Sequence, residues 1–269
     1  VGCIQDGPLK IDIDATWEAH RQFHETWEAR LSKEVAAMQA ASPSLIIADT
    51  PYLAIEAGSL AQIPTLVLAN FTWDLVLKEF CHASDHSRQR LIQSIRGFYR
   101  KADKALRITP APKIDVFSAI SDIGPIASPA SSERDRLAAT LDLASNERTV
   151  LVGFGGIPLS SLPLAQMEQL RQYRFLIDGP VPIEFSRIHS TKILPFSFKT
   201  LLASVDIIMT KPGYGTVVEA VALQQPIVYV LRHNFADEPP LVDFLHRYGR
   251  SVELSMDDFM KGCWEPALQ

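Results

Sequence analysis

One short stretch, residues 205–219, contains the residue types best suited to binding a ligand. Residues 205–209 are mostly apolar and are bounded by polar residues, which predicts a buried parallel strand. A lysine, a proline and two glycines then interrupt regular structure across 211–215, because proline lacks a backbone donor and glycine permits positive φ. We expect a positive φ at Gly215, where alanine would be strained. Thr216 is the predicted N-cap of a helix over 217–223. The stretch therefore predicts a strand, a glycine turn and a helix N-terminus.

The N-terminus of this predicted helix suits an anion such as a diphosphate. Its backbone N–H groups, made accessible by Gly213 and Gly215, can bind the anion, and the helix dipole favours negative charge there. Glu219 lies one turn further on, where its carboxylate can accept hydrogen bonds from ribose hydroxyls. Glycine pairs before helices also arise from tight packing, so the spacing alone leaves a nucleotide site and a packing role both open.

The composition is typical of a globular protein with two domains: 269 residues, of which 47% are hydrophobic and 21% charged. The net charge of −5 gives no electrostatic reason to expect nucleic-acid binding. Three distant cysteines fit no zinc spacing and are interpreted as reduced thiols of a cytoplasmic protein. Two histidine pairs have no convincing third ligand, so no metal site is expected. No apolar run approaches the roughly 20 residues of a membrane span.

Strand, helix and strand patterns follow one another over residues 44–70, which predicts a βαβ unit in a parallel sheet. Asp49 and Asn70 lie at the carboxyl ends of the two strands, where open α/β sheets bind their ligands. Trp73 follows in the next loop. Structural roles remain the alternative, with Asp49 capping the following helix and Trp73 packing at the sheet edge.

Two long helices and a connection complete the predicted organisation. Apolar residues at three- and four-residue intervals predict a helix over 14–41, and a second helical stretch covers 75–105. Prolines and small residues are dense over 109–130, where a helix cannot continue. We therefore predict an N-terminal domain over 1–126 and a C-terminal domain over 127–269.

Several motifs resemble those of GT-B glycosyltransferases. The sequence Thr-Lys-Pro-Gly-Tyr-Gly-Thr-Val-Val-Glu over 210–219 resembles the donor-binding motif of family 28, which includes the MurG-type enzymes. The turn Phe-Gly-Gly over 154–156 is similar to the one that opens the C-terminal domain in that family. A closer resemblance is to the glycosyltransferase-like region of plant L-arabinokinases, which has Asn-Phe-Ser-Trp-Asp where this chain has Asn-Phe-Thr-Trp-Asp over 70–74.

The resemblance implies two Rossmann-like α/β domains that face a cleft, with a nucleotide-sugar donor in the C-terminal one. It assigns the glycine turns to the diphosphate, Glu219 to the ribose, and the loop at 237–238 to the donor sugar. Phe196 would pack on the uracil ring or fill the core, and Arg232 would pair with phosphate or with Glu238. The implied donor-side residues are Gly155, Gly156, Phe196, Lys211, Gly213, Gly215, Thr216, Glu219, Arg232, Asp237 and Glu238. The implied acceptor-side residues are Asp49, Asn70 and Trp73.

Two substitutions depart from the common pattern and leave the sugar open. Lys211 stands where a histidine is commoner, and Glu238 stands where many relatives have an amide. Residues 1–7 resemble the region that follows the third strand of the N-terminal domain, so the usual catalytic histidine is expected upstream of residue 1 and the catalytic residues are unknown.

The leading hypothesis is a glycosyltransferase, hexosyltransferase-type, that transfers a sugar from a UDP-sugar to an acceptor and requires no cofactor. The alternative is a sugar-nucleotide-binding module without transfer activity, associated with a fused or partner sugar kinase. A UDP-sugar 2-epimerase, which shares the architecture, is a third hypothesis. Paired acidic and histidine residues across the cleft would favour the epimerase, and the sequence does not identify such a pair.

Overall fold

The computed structural model describes residues 1–7, 9–155, 162–182, 184–232 and 235–269. The chain divides into two compact units. The first comprises Val1–Asp6, Ile11–Pro125 and Asn234–Pro240, and the second comprises Gly7–Lys10, Ile126–His233 and Leu241–Gln269. The main boundary falls between Pro125 and Ile126, one residue before the one predicted for domains 1–126 and 127–269. Two short segments cross it, because residues 235–240 group with the first unit and Gly7–Lys10 group with the second.

The first unit contains a four-stranded sheet in which every strand pair is parallel. Its strands, in the spatial order β1-β2-β3-β4, are β1 (Ile46–Ala48), β2 (Thr65–Ala69), β3 (Lys104–Ile108) and β4 (Ile120–Ile123). Its helices are α1 (Ile13–Glu25), α2 (Trp27–Ala41), α3 (Tyr52–Leu60), α4 (Trp73–Lys78) and α5 (His86–Tyr99). The predicted βαβ unit over 44–70 corresponds to β1, α3 and β2.

Both predicted long helices differ from the observed elements. The first is broken at Thr26, which ends α1 and precedes α2 with a φ of −105° and a ψ of 17°. The second covers two helices and the first residues of β3. The chain turns into β3 because Asp103 holds the start of β2: its backbone N–H donates to Thr65 O at 3.1 Å, and its Oδ2 accepts from Thr65 N at 2.7 Å.

The remaining elements build a six-stranded, wholly parallel sheet in the second unit. Its strands are β5 (Arg148–Val152), β6 (Tyr173–Ile177), β7 (Ile188–Ser190), β8 (Ile207–Thr210), β9 (Pro226–Tyr229) and β10 (Arg250–Glu253). The helices after β4 are α6 (Arg134–Leu141), α7 (Leu164–Gln169), α8 (Phe198–Ser204), α9 (Tyr214–Ala222), α10 (Glu238–Tyr248), α11 (Met256–Lys261) and α12 (Glu265–Leu268), with a 3-10 turn at Thr191–Ile193.

The spatial order β7-β6-β5-β8-β9-β10 is the order of a Rossmann sheet. Alternate residues of its central strand enter two apolar clusters: Val150 and Val152 lie in one and Leu151 in the other. Both faces of this strand are therefore buried, which leaves the strand ends as the place where polar groups can meet a ligand. The predicted α/β class with parallel sheets is confirmed. None of the helices in the described part of the chain is both long and apolar enough to cross a membrane.

Candidate functional site: a glycine cradle in the second unit

The strand order of the second unit reverses at β5. This strand pairs with β6 on one side and with β8 on the other, and the chain continues outwards in both directions from there. Open α/β sheets bind ligands outside the carboxyl ends of the strands at such a switch point. The loops that follow β5 and β8 therefore define the candidate site, and both contain the glycines that the sequence singles out.

The loop after β5 requires two of its glycines for different reasons. A Cβ on Gly153 would lie 2.8 Å from Phe198 Cε2, so the Phe198 ring packs directly on the loop backbone. Gly155 has a φ of +77°, a left-handed conformation that side chains with a Cβ rarely adopt. Gly156, which was predicted to contact the donor, lies outside the described residues. The loop thus brings bare backbone to the switch point.

Lys211 extends its ammonium group between the two loops. A Cβ built on Gly155 would lie 3.4 Å from Lys211 Nζ, and one built on Gly213 would lie 3.6 Å from the same atom. The lysine backbone is fixed in turn, because Thr210 Oγ1 donates to Lys211 O at 3.1 Å. One positive charge and two glycine backbones therefore converge at the carboxyl edge of β5 and β8. We name this group of Gly155, Lys211 and Gly213 the glycine cradle.

Helix α9 begins earlier than the sequence predicts. Its N-cap is Gly213, and Tyr214 and Gly215 lie in its first turn, so the prediction of Thr216 as the N-cap is wrong. The predicted positive φ is also absent from this turn: Gly213 has a φ of −125°, and Gly215 is helical. The first N–H groups of an α-helix have no acceptor within the helix. Thr216 is the third residue after the N-cap, so its N–H is one of these donors.

Glu219 lies one turn beyond Gly215 on the same helix, and only 13% of its side chain is exposed. Its Oε1 is 2.8 Å from Lys199 Nζ, and that ammonium also donates to Ser128 O at 3.2 Å. Lys199 directly follows Phe198, whose ring packs on Gly153. The start of α8 therefore connects the loop after β5 with the acidic residue on α9.

The residues after β9 divide between the two units. Arg232, with 8% of its surface exposed, donates from Nη2 to Pro212 O at 2.8 Å and so holds the turn that leads into α9. Asp237 and Glu238 instead belong to the segment that groups with the first unit. Glu238 is buried and begins α10, with its N–H donating to Phe235 O at 3.1 Å. One contact of Arg232 therefore lies on the turn before α9, and the donor-side roles predicted for Arg232, Asp237 and Glu238 stay predictions.

Phe196 packs against the core and against a charged side chain. It is half-buried beside one of the two apolar clusters of the second unit. The guanidinium carbon of Arg136 lies 4.9 Å from the centroid of its ring, which is within the range of a cation–π contact. The ring therefore has an interaction within the protein in addition to any contact with a base.

The predicted acceptor-side residues lie at the carboxyl ends of β1 and β2. Asp49 is exposed, Asn70 is half-buried, and Trp73 lines a cavity of about 230 Å³. Beneath this cavity, the Tyr99 hydroxyl donates to Thr50 O at 2.6 Å and accepts from Trp73 N at 3.2 Å. Burial raises the pKa of Tyr99 well above its usual value, so the group remains a neutral donor. Tyr99 thus joins the two loops that carry the predicted acceptor residues.

Sequence reasoning missed Lys199, Phe198 and Tyr99. Each lies on a helix and contacts a part of the chain distant in sequence; Tyr99 and Thr50, for example, are 49 positions apart. The only local signal would have been Tyr99 at a helix end with no other apparent role. These contacts depend on the tertiary arrangement, which a motif does not encode.

Comparison with solved structures identifies the architecture. The glycotransferase of kitacinnamycin superposes with a TM-score of 0.62 and 15% identity, over 94% of this chain and 75% of that one. UGT2 of Phytolacca americana, solved with UDP-2fluoro-glucose and pterostilbene, gives a TM-score of 0.60 and 15% identity over 91% of this chain and 70% of its own. MurG of Acinetobacter baumannii gives 0.51 and 14%, over 89% and 69%. The fold is GT-B.

Comparison with curated protein sequences gives a match over the whole of this chain. L-arabinokinase of Arabidopsis thaliana is 25% identical over 274 residues, which cover 100% of this chain. The chain spans about a quarter of the length of that relative, since the match covers 26% of it. No protein-family model matches. The predicted resemblance to GT-B glycosyltransferases and to the L-arabinokinase region is confirmed, while the residue roles in the candidate site stay predictions.

Proposed function

We propose that this protein binds a UDP-sugar at the glycine cradle and transfers the sugar to an acceptor, as a glycosyltransferase. The observation that carries the proposal is the position of Lys211 Nζ between Gly155 and Gly213, beside the first turn of α9. A diphosphate requires positive charge and backbone N–H donors at one place, and the cradle offers both. Glu219 then accepts hydrogen bonds from the ribose hydroxyls, which lie beyond the diphosphate.

The same groups would act on the reaction as well as on binding. When the bond between the sugar and the diphosphate of the donor breaks, negative charge develops on the departing diphosphate. Donors that already point at that position stabilise the transition state without reorganisation. The acceptor would occupy the first unit near Asp49, Asn70 and Trp73. The protein needs no cofactor in this scheme.

The comparisons support the choice of donor without determining it. The name of the Phytolacca americana structure includes UDP-2fluoro-glucose, and that protein shares the fold at 15% identity. The similarity to L-arabinokinase spans the whole chain and raises the second candidate, a sugar-nucleotide-binding module without transfer that works with a fused or partner sugar kinase. Both candidates require a donor at the cradle. They differ only in whether the sugar is transferred from the donor to an acceptor.

Calorimetry with UDP tests the shared part of both candidates. We expect UDP to bind, and we expect Glu219→Ala to weaken binding by about 1–3 kcal/mol, the range for a hydrogen bond to a charged acceptor. No binding of UDP or UDP-sugars to the folded protein at millimolar concentration would overturn the proposal. Release of UDP from a UDP-sugar in the presence of candidate acceptors, measured on the full-length protein, then separates transfer from binding alone.

A further inference from the structure

Lys199 connects three parts of the second unit around Glu219. Its ammonium lies 2.8 Å from Glu219 Oε1 and donates to Ser128 O at 3.2 Å. The Lys199 side chain is 52% exposed, whereas that of Glu219 is only 13% exposed. The lysine therefore reaches in from the surface to a carboxylate that protein surrounds on most sides. Such a contact restricts the orientation of the carboxylate.

The contact leaves room for a ligand on the same carboxylate. An ionised carboxylate has two oxygens and about four sites that accept hydrogen bonds. Lys199 is bound to Oε1, so a ribose diol can still donate to Oε2 and to the remaining site on Oε1. Lysine and ribose can therefore bind Glu219 together. The lysine determines which acceptor sites of the carboxylate face the sugar.

The position of Lys199 is itself fixed by its neighbour in the sequence. The Phe198 ring lies so close to Gly153 that a Cβ there would approach it to 2.8 Å. Phe198 therefore fixes the position of the start of α8 relative to the loop after β5, and the Lys199 side chain extends from there to α9. The loop after β5 and helix α9 are in this way linked through two consecutive residues.

The segment after residue 125 is attached to the same place at two points. Ile126 N donates to Tyr214 Oη at 3.0 Å, on the first turn of α9. Ser128 O accepts from Lys199, as described above. A carbonyl of residues 126–128 thus helps to position the ammonium that orients Glu219.

We propose that Lys199 is a positioning residue for the ribose of the donor. It orients the Glu219 carboxylate toward the ribose diol, and its attachment to Ser128 makes that orientation depend on residues 126–128. This inference rests on the proposed function, since it concerns the same nucleotide. It predicts that Lys199 contributes to the preference of the site for ribose over 2′-deoxyribose, which a lysine acting only as a general positive charge would not do.

The experiment compares Lys199→Met, Lys199→Arg and the matched control Lys192→Met in the whole protein. Lys192 is an exposed lysine of the same unit, in the turn Thr191–Ile193. Calorimetry with UDP and with 2′-deoxyuridine diphosphate measures affinity and ribose preference. We expect Lys199→Met to lose roughly tenfold in UDP affinity and most of the preference for UDP over the deoxy nucleotide, because the Glu219 carboxylate is no longer held toward the ribose diol. Lys199→Arg should retain both, and Lys192→Met should match the wild type.

Hydrogen exchange at the backbone amides of residues 126–128 and 130 gives a readout that needs no ligand. These amides should exchange faster in Lys199→Met than in Lys192→Met, since the bond to Ser128 O is lost. If the wild type binds UDP and Lys199→Met keeps full affinity and full preference for ribose, the inference is wrong and the proposed function stands. Weaker UDP binding with unchanged ribose preference also refutes it. If the folded wild type binds no UDP, the proposed function fails and the inference fails with it.

Discussion

Gly215→Ala should stabilise the protein while weakening nucleotide binding. The sequence alone predicts the opposite for stability, because the turn pattern places Gly215 at a positive φ where alanine is strained. In the structure Gly215 is helical, in the first turn of α9. Among the described residues, and apart from its chain neighbours and the backbone of its own helix, a Cβ built on it has no heavy atom within 4 Å. The methyl group therefore enters open space on the side of the helix terminus that we assign to the diphosphate.

The magnitudes follow from helix propensity and from the lost phosphate contact. Replacing a helical glycine by alanine stabilises by about 0.5–1 kcal/mol, which corresponds to a rise in Tm of about 1–4 °C for a chain of this size. A Cβ that holds the phosphate away from the helix N–H groups removes a hydrogen bond to a charged acceptor, worth about 1.5–3 kcal/mol, or ten- to a hundredfold in Kd. Stability and affinity should therefore change in opposite directions.

Gly97→Ala is the matched control. Gly97 lies in α5, and by the same measure a Cβ there has no heavy atom within 4 Å in the described part of the chain. Thermal unfolding and UDP calorimetry on both variants separate the two effects. We expect Gly97→Ala to raise Tm without changing UDP affinity. A higher Tm with unchanged UDP affinity in Gly215→Ala would mean that the turn faces no ligand, and a lower Tm would contradict the helical assignment of Gly215.

Three further predictions test other parts of the structure. Lys211→Met should weaken UDP binding by roughly tenfold and reduce its dependence on salt, measured by calorimetry at two ionic strengths, because the ammonium in the glycine cradle neutralises phosphate. Hydrogen bonding, chiefly from a neighbouring arginine guanidinium, lowers the pKa of Glu147 from 4.5 to about 2. Its contribution to stability is therefore complete above pH 4.5 and is lost as the pH falls from about 4.5 towards 2, so Glu147→Gln should remove this part of the pH dependence in denaturant unfolding. Tyr99→Phe should destabilise the protein by about 1–3 kcal/mol, since Thr50 O and Trp73 N both lose the Tyr99 hydroxyl as partner. A hydrogen-exchange rate at the Trp73 amide equal to that of the wild type would contradict this.

The elements that the sequence predicts best are those whose burial is complete. β8 has four buried residues in a row, and its apolar run predicts a parallel strand within two residues of the observed bounds. β3 is the contrasting case. Its sequence, with Lys104 and Arg107, predicts the continuation of a basic helix. In the structure the first residue of the strand is exposed and the three after Ala105 are only partly buried, so no continuous apolar run marks it as a strand. Pairing with β2 and β4, which lie far away in sequence, decides its conformation.

The start of α9 shows why local capping signals can mislead. Thr216 has the hydroxyl of a common N-cap residue, whereas the observed N-cap, Gly213, has no side chain to signal its role. The turn also has contacts from elsewhere in the chain, including the bond from Arg232 Nη2 to Pro212 O. Sequence reasoning therefore identified the turn and its glycines but placed the helix boundary three residues too late.

The motif residues of the cradle depend on side chains that belong to no motif. Arg232, which the resemblance assigns to phosphate or to Glu238, also contacts the backbone of the turn that presents the first N–H groups of α9. Phe198 packs on Gly153 and so contacts the backbone of the loop after β5. Tyr99 hydrogen-bonds to the backbone of two loops of the first unit, at Thr50 and Trp73. A glycine turn can bind an anion only while its N–H groups are held in one direction, since a mobile loop would lose entropy on binding. The residues that hold these loops should therefore affect nucleotide affinity even where they do not touch the nucleotide.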